Sequence, residues 1–345
     1  MREFYDLHVH LSELNYKKAE SALDVISYIG VTRAALQSLT YRSAAYNLWL
    51  LHVKNTYKRM DLSVFGMPHF EGPYTDIPLD VQARALIELG CDGIKLMNAP
   101  GSRRRLGFGP NDPRYDKMLD YLEENSIPVL MHVADPEEFW DESKAIPYWI
   151  ERGWVYFEEG YLTKEEIYEE VLEMLDKHPN LRITFAHFFF LSNFIDRAAE
   201  IMDKYPNVTF DLAPGWEMFL GFNNNYEKAR EFFIKYKDRI IYGTDTNNSK
   251  RSNAEIHMLV RMALERSDEF MMPYYSEKII RGLHLPEDVL DAVYRDNYTR
   301  FVGTPKAVNT SLLESYAHRM LEDIAESDDP ICTSSTPWLN EILTK

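Results

Sequence analysis

The sequence predicts an α/β protein, a (β/α)₈ TIM barrel with a C-terminal helical extension. Three observations predict it. Short runs rich in β-branched and aromatic residues recur eight times along the chain. Amphipathic, charge-rich stretches of helical period separate them, and Gly, Pro and Asn punctuate the helix-to-strand turns. Alternating strand and helix implies a parallel sheet, and eight such units in one chain point to a closed barrel rather than an open doubly wound sheet.

The first run, Phe4-Tyr5-Asp6-Leu7-His8-Val9-His10-Leu11, alternates polar and apolar side chains, as a strand with two unlike faces does. Further strands are expected at residues 33–39, 63–70, 93–97, 128–134, 182–188, 208–213 and 240–245. Helices are expected at 112–125, 163–177 and 193–205; in the second, Ile167, Val171, Met174 and Leu175 share one face. Turns fall at Ile29-Gly30-Val31, Leu89-Gly90-Cys91, His178-Pro179-Asn180 and Tyr205-Pro206-Asn207. The connection over 135–163 is long and carries Trp140, Trp149, Trp154, Tyr156 and Tyr161. It reads as a lid or substrate wall, or as an extra helix packed on the rim. Beyond Asp245 the chain continues helically through 254–265 and 286–301. The barrel domain is assigned to 1–303 and the helical tail to 304–345, with 327–337 loosely ordered.

Composition narrows the class. The 345 residues include 38 Lys+Arg against 55 Asp+Glu, a net charge of −17, which disfavours nucleic acid and anionic membrane as partners. With 45% hydrophobic and 27% charged residues the chain has ordinary globular composition. Cys91 and Cys332 are too few for a disulfide framework, so a reducing compartment is expected. No run approaches the ~20 apolar residues of a membrane span, and no basic-then-apolar leader opens the chain. The expected location is cytoplasmic, and the expected partner a small-molecule substrate.

On a strand, Asp6, His8 and His10 fall on one face, and in a barrel one face lines the lumen. Two imidazoles so placed can grip one divalent cation. His132, His187 and Asp245 each close an apolar strand, where barrel enzymes place catalytic groups. A buried histidine is usually a hydrogen-bonded core residue, but of ten histidines these four converge with an aspartate on one end of one barrel. That favours a metal. Lys95, between Ile94 and Leu96, points inward by the same alternation; it is a charge partner for substrate, an ion pair with Asp6, or a carbamate bridging two metals.

Together these motifs resemble the amidohydrolase superfamily. More narrowly, Met131-His132-Val133-Ala134-Asp135-Pro136, Phe185-Ala186-His187-Phe188, Tyr242-Gly243-Thr244-Asp245 and Asp296-Asn297-Tyr298-Thr299-Arg300-Phe301 are similar to the amidohydrolase-related branch that includes aminocarboxymuconate-semialdehyde decarboxylase and the resorcylate-type decarboxylases. The resemblance covers about residues 4–303. It implies one divalent ion, Zn2+ with Mn2+ as the alternative, held by His8, His10, His132 and Asp245, with His187 as an unligated acid/base. In two-metal relatives His132 and His187 bind a second ion and a carbamylated lysine, here Lys95, bridges the pair. The implied function is a metal-dependent hydrolase acting on an amide, ester or lactone carbon of a small carboxylate-bearing substrate. A non-oxidative decarboxylase is the alternative. A polymerase-and-histidinol-phosphatase type phosphoesterase stands further off, because Asp245-Thr246-Asn247 lacks that family's late Asp-X-His. Arg103, in Arg103-Arg104-Arg105, would capture the carboxylate or belong to a solvated charge run; Trp216 would wall the substrate or pack on the rim. A homodimer is expected from the resemblance alone.

Overall fold

The computed structural model describes the whole chain except residues 1, 12–14, 248–249, 274–276 and 345 and the side chains of 216 and 250–252. Eight strands form one sheet in sequential order: β1 (Phe4–Val9), β2 (Val31–Gln37), β3 (Asp61–Gly66), β4 (Gly93–Asn98), β5 (Val129–Val133), β6 (Ile183–Phe185), β7 (Val208–Asp211) and β8 (Ile240–Ile241). Neighbours pair in parallel. β8 closes on β1 through Leu7 N donating to Tyr242 O (2.9 Å), His10 N donating to Thr246 O (2.8 Å) and a parallel bridge between Val9 and Thr246. The expected (β/α)₈ barrel is therefore the observed one. No helix among the described residues is long and apolar enough to cross a membrane.

Side-chain alternation sorts the strands into two layers. Ile94, Leu96, Val129, Met131 and Val133 join the large apolar layer under the helices. Leu7, Ala35, Phe65, Leu130 and Ile241 form a second cluster with Tyr298 and Phe301 that fills the lower lumen. The helix Asn297–Val302 closes the floor. Asn297 donates to the carbonyls of Lys237 and Ile240 (both 2.6 Å), and Arg182 donates to those of Arg300 (2.7 Å) and Phe301 (2.8 Å). Gly93 has no room for a side chain, since a Cβ there would lie 2.5 Å from both Phe65 and the Pro128 carbonyl. The chemistry is thus left to the opposite, C-terminal end of the strands.

Two expectations need correction. The ladder of β1 shifts register between Asp6 and Val9, so strict alternation fails there. Leu7 joins the lumen cluster, while Asp6 turns to Thr244 and His257 instead of sharing a face with His8 and His10. A bulge of this kind re-aims side chains at a barrel rim. The stretch 327–337 is docked rather than loose. It contains the helix Pro330–Thr333, buried Cys332, and a Ser335 hydroxyl 2.8 Å from that of Ser43. After it, Trp338 packs on Tyr46 and Trp49 at ring distances of 4.9 and 5.1 Å.

Strands β6 and β8 are shorter than their apolar runs suggest. His187 (φ 58°) and Asp245 (φ 52°) adopt left-handed backbone conformations, as does Ala134 (φ 60°) after β5. Such residues interrupt a regular ladder: β5 ends immediately before Ala134, and β6 two residues before His187. The long connection after β5 carries a short helix, Pro147–Arg152, and an aromatic cluster in which Phe139 meets Trp149 (5.1 Å) and Tyr156 (5.9 Å).

Candidate metal centre

His8, His10 and Asp245 meet at the mouth, with one ligand atom from each lying within 4.8 Å of the others. Asp245 Oδ1 is 3.3 Å from His10 Nε2 and 3.6 Å from His8 Nε2. The hydrogen bonds set the tautomers. His10 Nδ1 donates to the Gln37 carbonyl (3.1 Å), which can only accept, and His8 Nδ1 donates to Asp211 (2.8 Å). Both Nε2 atoms then carry lone pairs, and they face each other at 3.2 Å. A cation between them would relieve the repulsion of the two facing lone pairs. The donor set, two nitrogens and a carboxylate oxygen, fits a divalent ion of the zinc class.

His132 and His187 form a second pair. His187 Nδ1 donates to Ala213 O (2.9 Å) and His132 Nε2 to Ala134 O (2.9 Å), leaving His187 Nε2 and His132 Nδ1 opposed at 3.1 Å. The four histidines singled out in the sequence do converge, with His187 and His8 rings 5.3 Å apart. They do so as two pairs: His132 sits beside His187, outside the three-residue group of His8, His10 and Asp245. Burial holds His8, His10 and His187 well below the usual imidazole range. All three are neutral at pH 7, as ligation requires.

Lys95 is fully buried, and burial lowers its ammonium to about 8 against the opposing pull of Asp211 and Asp245. Its charge partners are those two aspartates rather than Asp6. Burial also raises Asp245 to about 6, with Lys95, His132 and Arg42 pulling it back. Asp6, raised to about 7 by burial, acts as a strut: it accepts from His8 N (3.0 Å) and from the Thr244 hydroxyl (2.5 Å), tying β1 to the end of β8.

Two mouth residues escaped the sequence reading. Asp211 accepts from His8 Nδ1, His187 N (2.8 Å) and Ala213 N (3.1 Å), so one carboxylate orients both histidine pairs. Its signal was present, since it closes the apolar run Val208-Thr209-Phe210 as His132 and His187 close theirs. Arg42 is exposed, and its charge reaches both His10 and Asp245. By contrast Arg103 is engaged by Glu170 through a bidentate pair at 2.7–2.9 Å, so it is not offered to a substrate. Trp216 opens the helix Trp216–Asn224, but its side chain lies outside the described residues.

Comparison with known proteins follows the same line. No curated protein matches the sequence. Solved structures with similar folds include 5-carboxyvanillate decarboxylase from Sphingomonas paucimobilis, at TM-score 0.55 and 12% identity, covering 87% of this chain and 98% of that one. Another is 2,6-dihydroxybenzoate decarboxylase in complex with 2,6-dihydroxybenzoate, at 0.53 and 13%, covering 88% and 99%. A third is a candidate 2-pyrone-4,6-dicarboxylic acid hydrolase from Pseudomonas putida, at 0.50 and 14%, covering 87% and 97%. At such identities the likeness is one of fold. The sequence family described as amidohydrolase matches residues 18–304, more than half of the chain. With its barrel and its histidine–aspartate mouth, the chain belongs to the amidohydrolase family, whose members are enzymes.

Proposed function

We propose that the protein is a metal-dependent hydrolase in which water attacks an amide, ester or lactone carbon of a small molecule. The observation that carries this reading is the pair of facing Nε2 lone pairs of His8 and His10, with the Asp245 carboxylate beside them. His8, His10 and Asp245, with His132 as fourth ligand, would hold one Zn2+ ion. When bound, the cation supplies Lewis acidity, lowering the pKa of water from ~16 towards ~7.

The chain's own groups do the rest. Asp245 keeps 41% of its side chain exposed at the mouth, where a carboxylate oxygen can reach a bound water. It takes the proton of the attacking water. That proton then goes to the leaving group, and His187, held in one tautomer by the Ala213 carbonyl, offers the Nε2 lone pair that accepts it and hands it on. The Lys95 ammonium beneath the centre offsets negative charge that builds up on the reacting carbonyl oxygen.

Decarboxylation is the second reading, and Arg42 is the observation that favours it, because an exposed guanidinium at the mouth can hold a carboxylate. The free, buried Cys91 and Cys332 suit a reducing cytoplasm. The test begins with metal content by plasma mass spectrometry on protein purified without chelator. About one zinc per chain is expected. About two would move His132 and His187 to a second ion and make Lys95 its carbamylated bridge, and none after reconstitution would end the reading. The metal-loaded enzyme is then screened against lactones, amides, esters and aromatic carboxylates. Release of CO2 with no carbonyl hydrolysis would replace hydrolase by decarboxylase.

A further inference from the structure

Among the described residues, Glu217 is a carboxylate near the mouth that the reaction does not use and the fold does not satisfy. It is 7% exposed, yet no other residue donates a hydrogen bond to either carboxylate oxygen; the one backbone N–H close enough to lower its pKa is its own. The side chain folds back over Gly215, where a Cβ would lie 2.2 Å from Glu217 Oε2, so only glycine leaves room for it there. Its electrostatic neighbours are Glu138, Lys164 and Asp135. Asp135 links this group to the metal centre, with Oδ1 3.4 Å from His132 Nε2 and Oδ2 accepting from Tyr156 OH at 2.6 Å.

We infer that Glu217, Asp135 and Glu138 form a subsite beside the metal centre that receives a positively charged group of the substrate, a primary ammonium or a guanidinium. Four carboxylates, Glu137, Glu217, Asp135 and Glu138, act on the single Lys164 ammonium, which also donates to the Phe190 carbonyl at 3.3 Å, so negative charge is in excess there. The neighbouring arginine run does not supply the missing charge. Arg103 is paired with Glu170, Arg104 lies 3.8 Å from Glu158 and over the Tyr161 ring, and Arg105 is bonded to Glu71. An acid in the first turn of a helix is favoured by the helix dipole, but such residues normally keep their hydration. Burying a carboxylate without a partner is costly unless a cation arrives to pair with it. Burial accordingly pushes Glu217 up to about 7.

This inference rests on the hydrolase reading for what is turned over, but binding alone tests it. Zinc-loaded protein at pH 8 is titrated by calorimetry with benzylammonium and with its neutral counterpart, benzyl alcohol. Benzylammonium is expected to bind at least about tenfold tighter, and Glu217→Gln to remove the difference. Gly215→Ala, which displaces the carboxylate without removing its charge, should weaken benzylammonium in the same direction. Equal affinity for the two probes in the wild-type protein, or an unchanged benzylammonium affinity in Glu217→Gln, overturns the subsite, and the wild-type comparison decides even if a variant fails to fold. Metal content in the same samples separates the two readings. Ammonium selectivity without bound metal would count against the hydrolase only, and full metal without selectivity against the subsite only.

Discussion

A carboxylate that accepts three hydrogen bonds at once works mainly by holding its donors still, and Asp211 accepts from His8 Nδ1, His187 N and Ala213 N. In Asp211→Asn one side of the group becomes a donor; turned towards His8 Nδ1–H it opposes donor to donor and releases the tautomer that directs the Nε2 lone pair to the mouth. Zinc affinity should fall by about 10–100-fold, read by competition with a chromophoric chelator, while far-UV circular dichroism stays unchanged. Unaltered affinity would remove Asp211 from the centre. Asp245 calls for a different choice of variant because its backbone is left-handed (φ 52°). Asparagine adopts that conformation more readily than alanine, so Asp245→Asn separates loss of the ligand charge from added backbone strain. It should lose metal and turnover at little cost in stability; a variant with full metal and turnover would refute the ligand assignment.

Elements carry the strain that the site requires. The run from His187 to Phe190 is left-handed at all four residues (φ 51–58°), a conformation that costs energy outside glycine. It survives because Phe188, Phe189 and Phe190 are buried in an aromatic stack, with Phe189 4.1 Å from Phe185 and Phe188 4.8 Å from Phe222. The first turn of the helix Trp216–Asn224 stores a second cost, the buried Glu217. Its pKa rises from 4.5 to about 7 on folding. Between those values the unfolded chain has released a proton that the folded chain retains, so stability falls as pH rises and levels off above about 7. The effect has a ceiling of roughly 3 kcal/mol. Glu217→Gln should therefore gain stability at pH 8 and little at pH 4, by urea unfolding at each pH. An equal effect at both would mean the carboxylate is not the source. Asp6, raised to about 7 by burial, has the same sign and leaves a residual slope in the variant.

At the scale of the whole molecule, the tail completes the barrel's outer layer. Trp338 is 3% exposed and packs on Tyr46 and Trp49 of the helix Tyr46–Thr56. Trp338→Ala should cost about 3–5 kcal/mol, seen as a lower urea midpoint at unchanged slope. The metal centre lies on other elements, so metal content per folded chain should not change. A midpoint like that of the wild type would mean the tail is an appendage rather than part of the fold.

The barrel, its strand order and five mouth residues were legible in one dimension. Strand and helix periods are local, and a polar residue closing an apolar run marks a strand end whatever the strand pairs with; His132, His187 and Asp245 were found in this way, and Asp211 carried the same mark unread. The partnerships were not legible. A register shift in β1 turns Asp6 away from His8, and register belongs to a pair of strands, not to one. His132 meets His187 across 55 positions, Arg103 meets Glu170 across 67, and Asp211 meets His8 across 203. Hydrogen-bond acceptance, burial and charge balance depend on which groups long-range packing brings together. The sequence alone therefore determined the scaffold and most of the chemistry at its mouth. Only the tertiary structure decided how those groups pair, and that Glu217 is buried with no hydrogen bond from another residue.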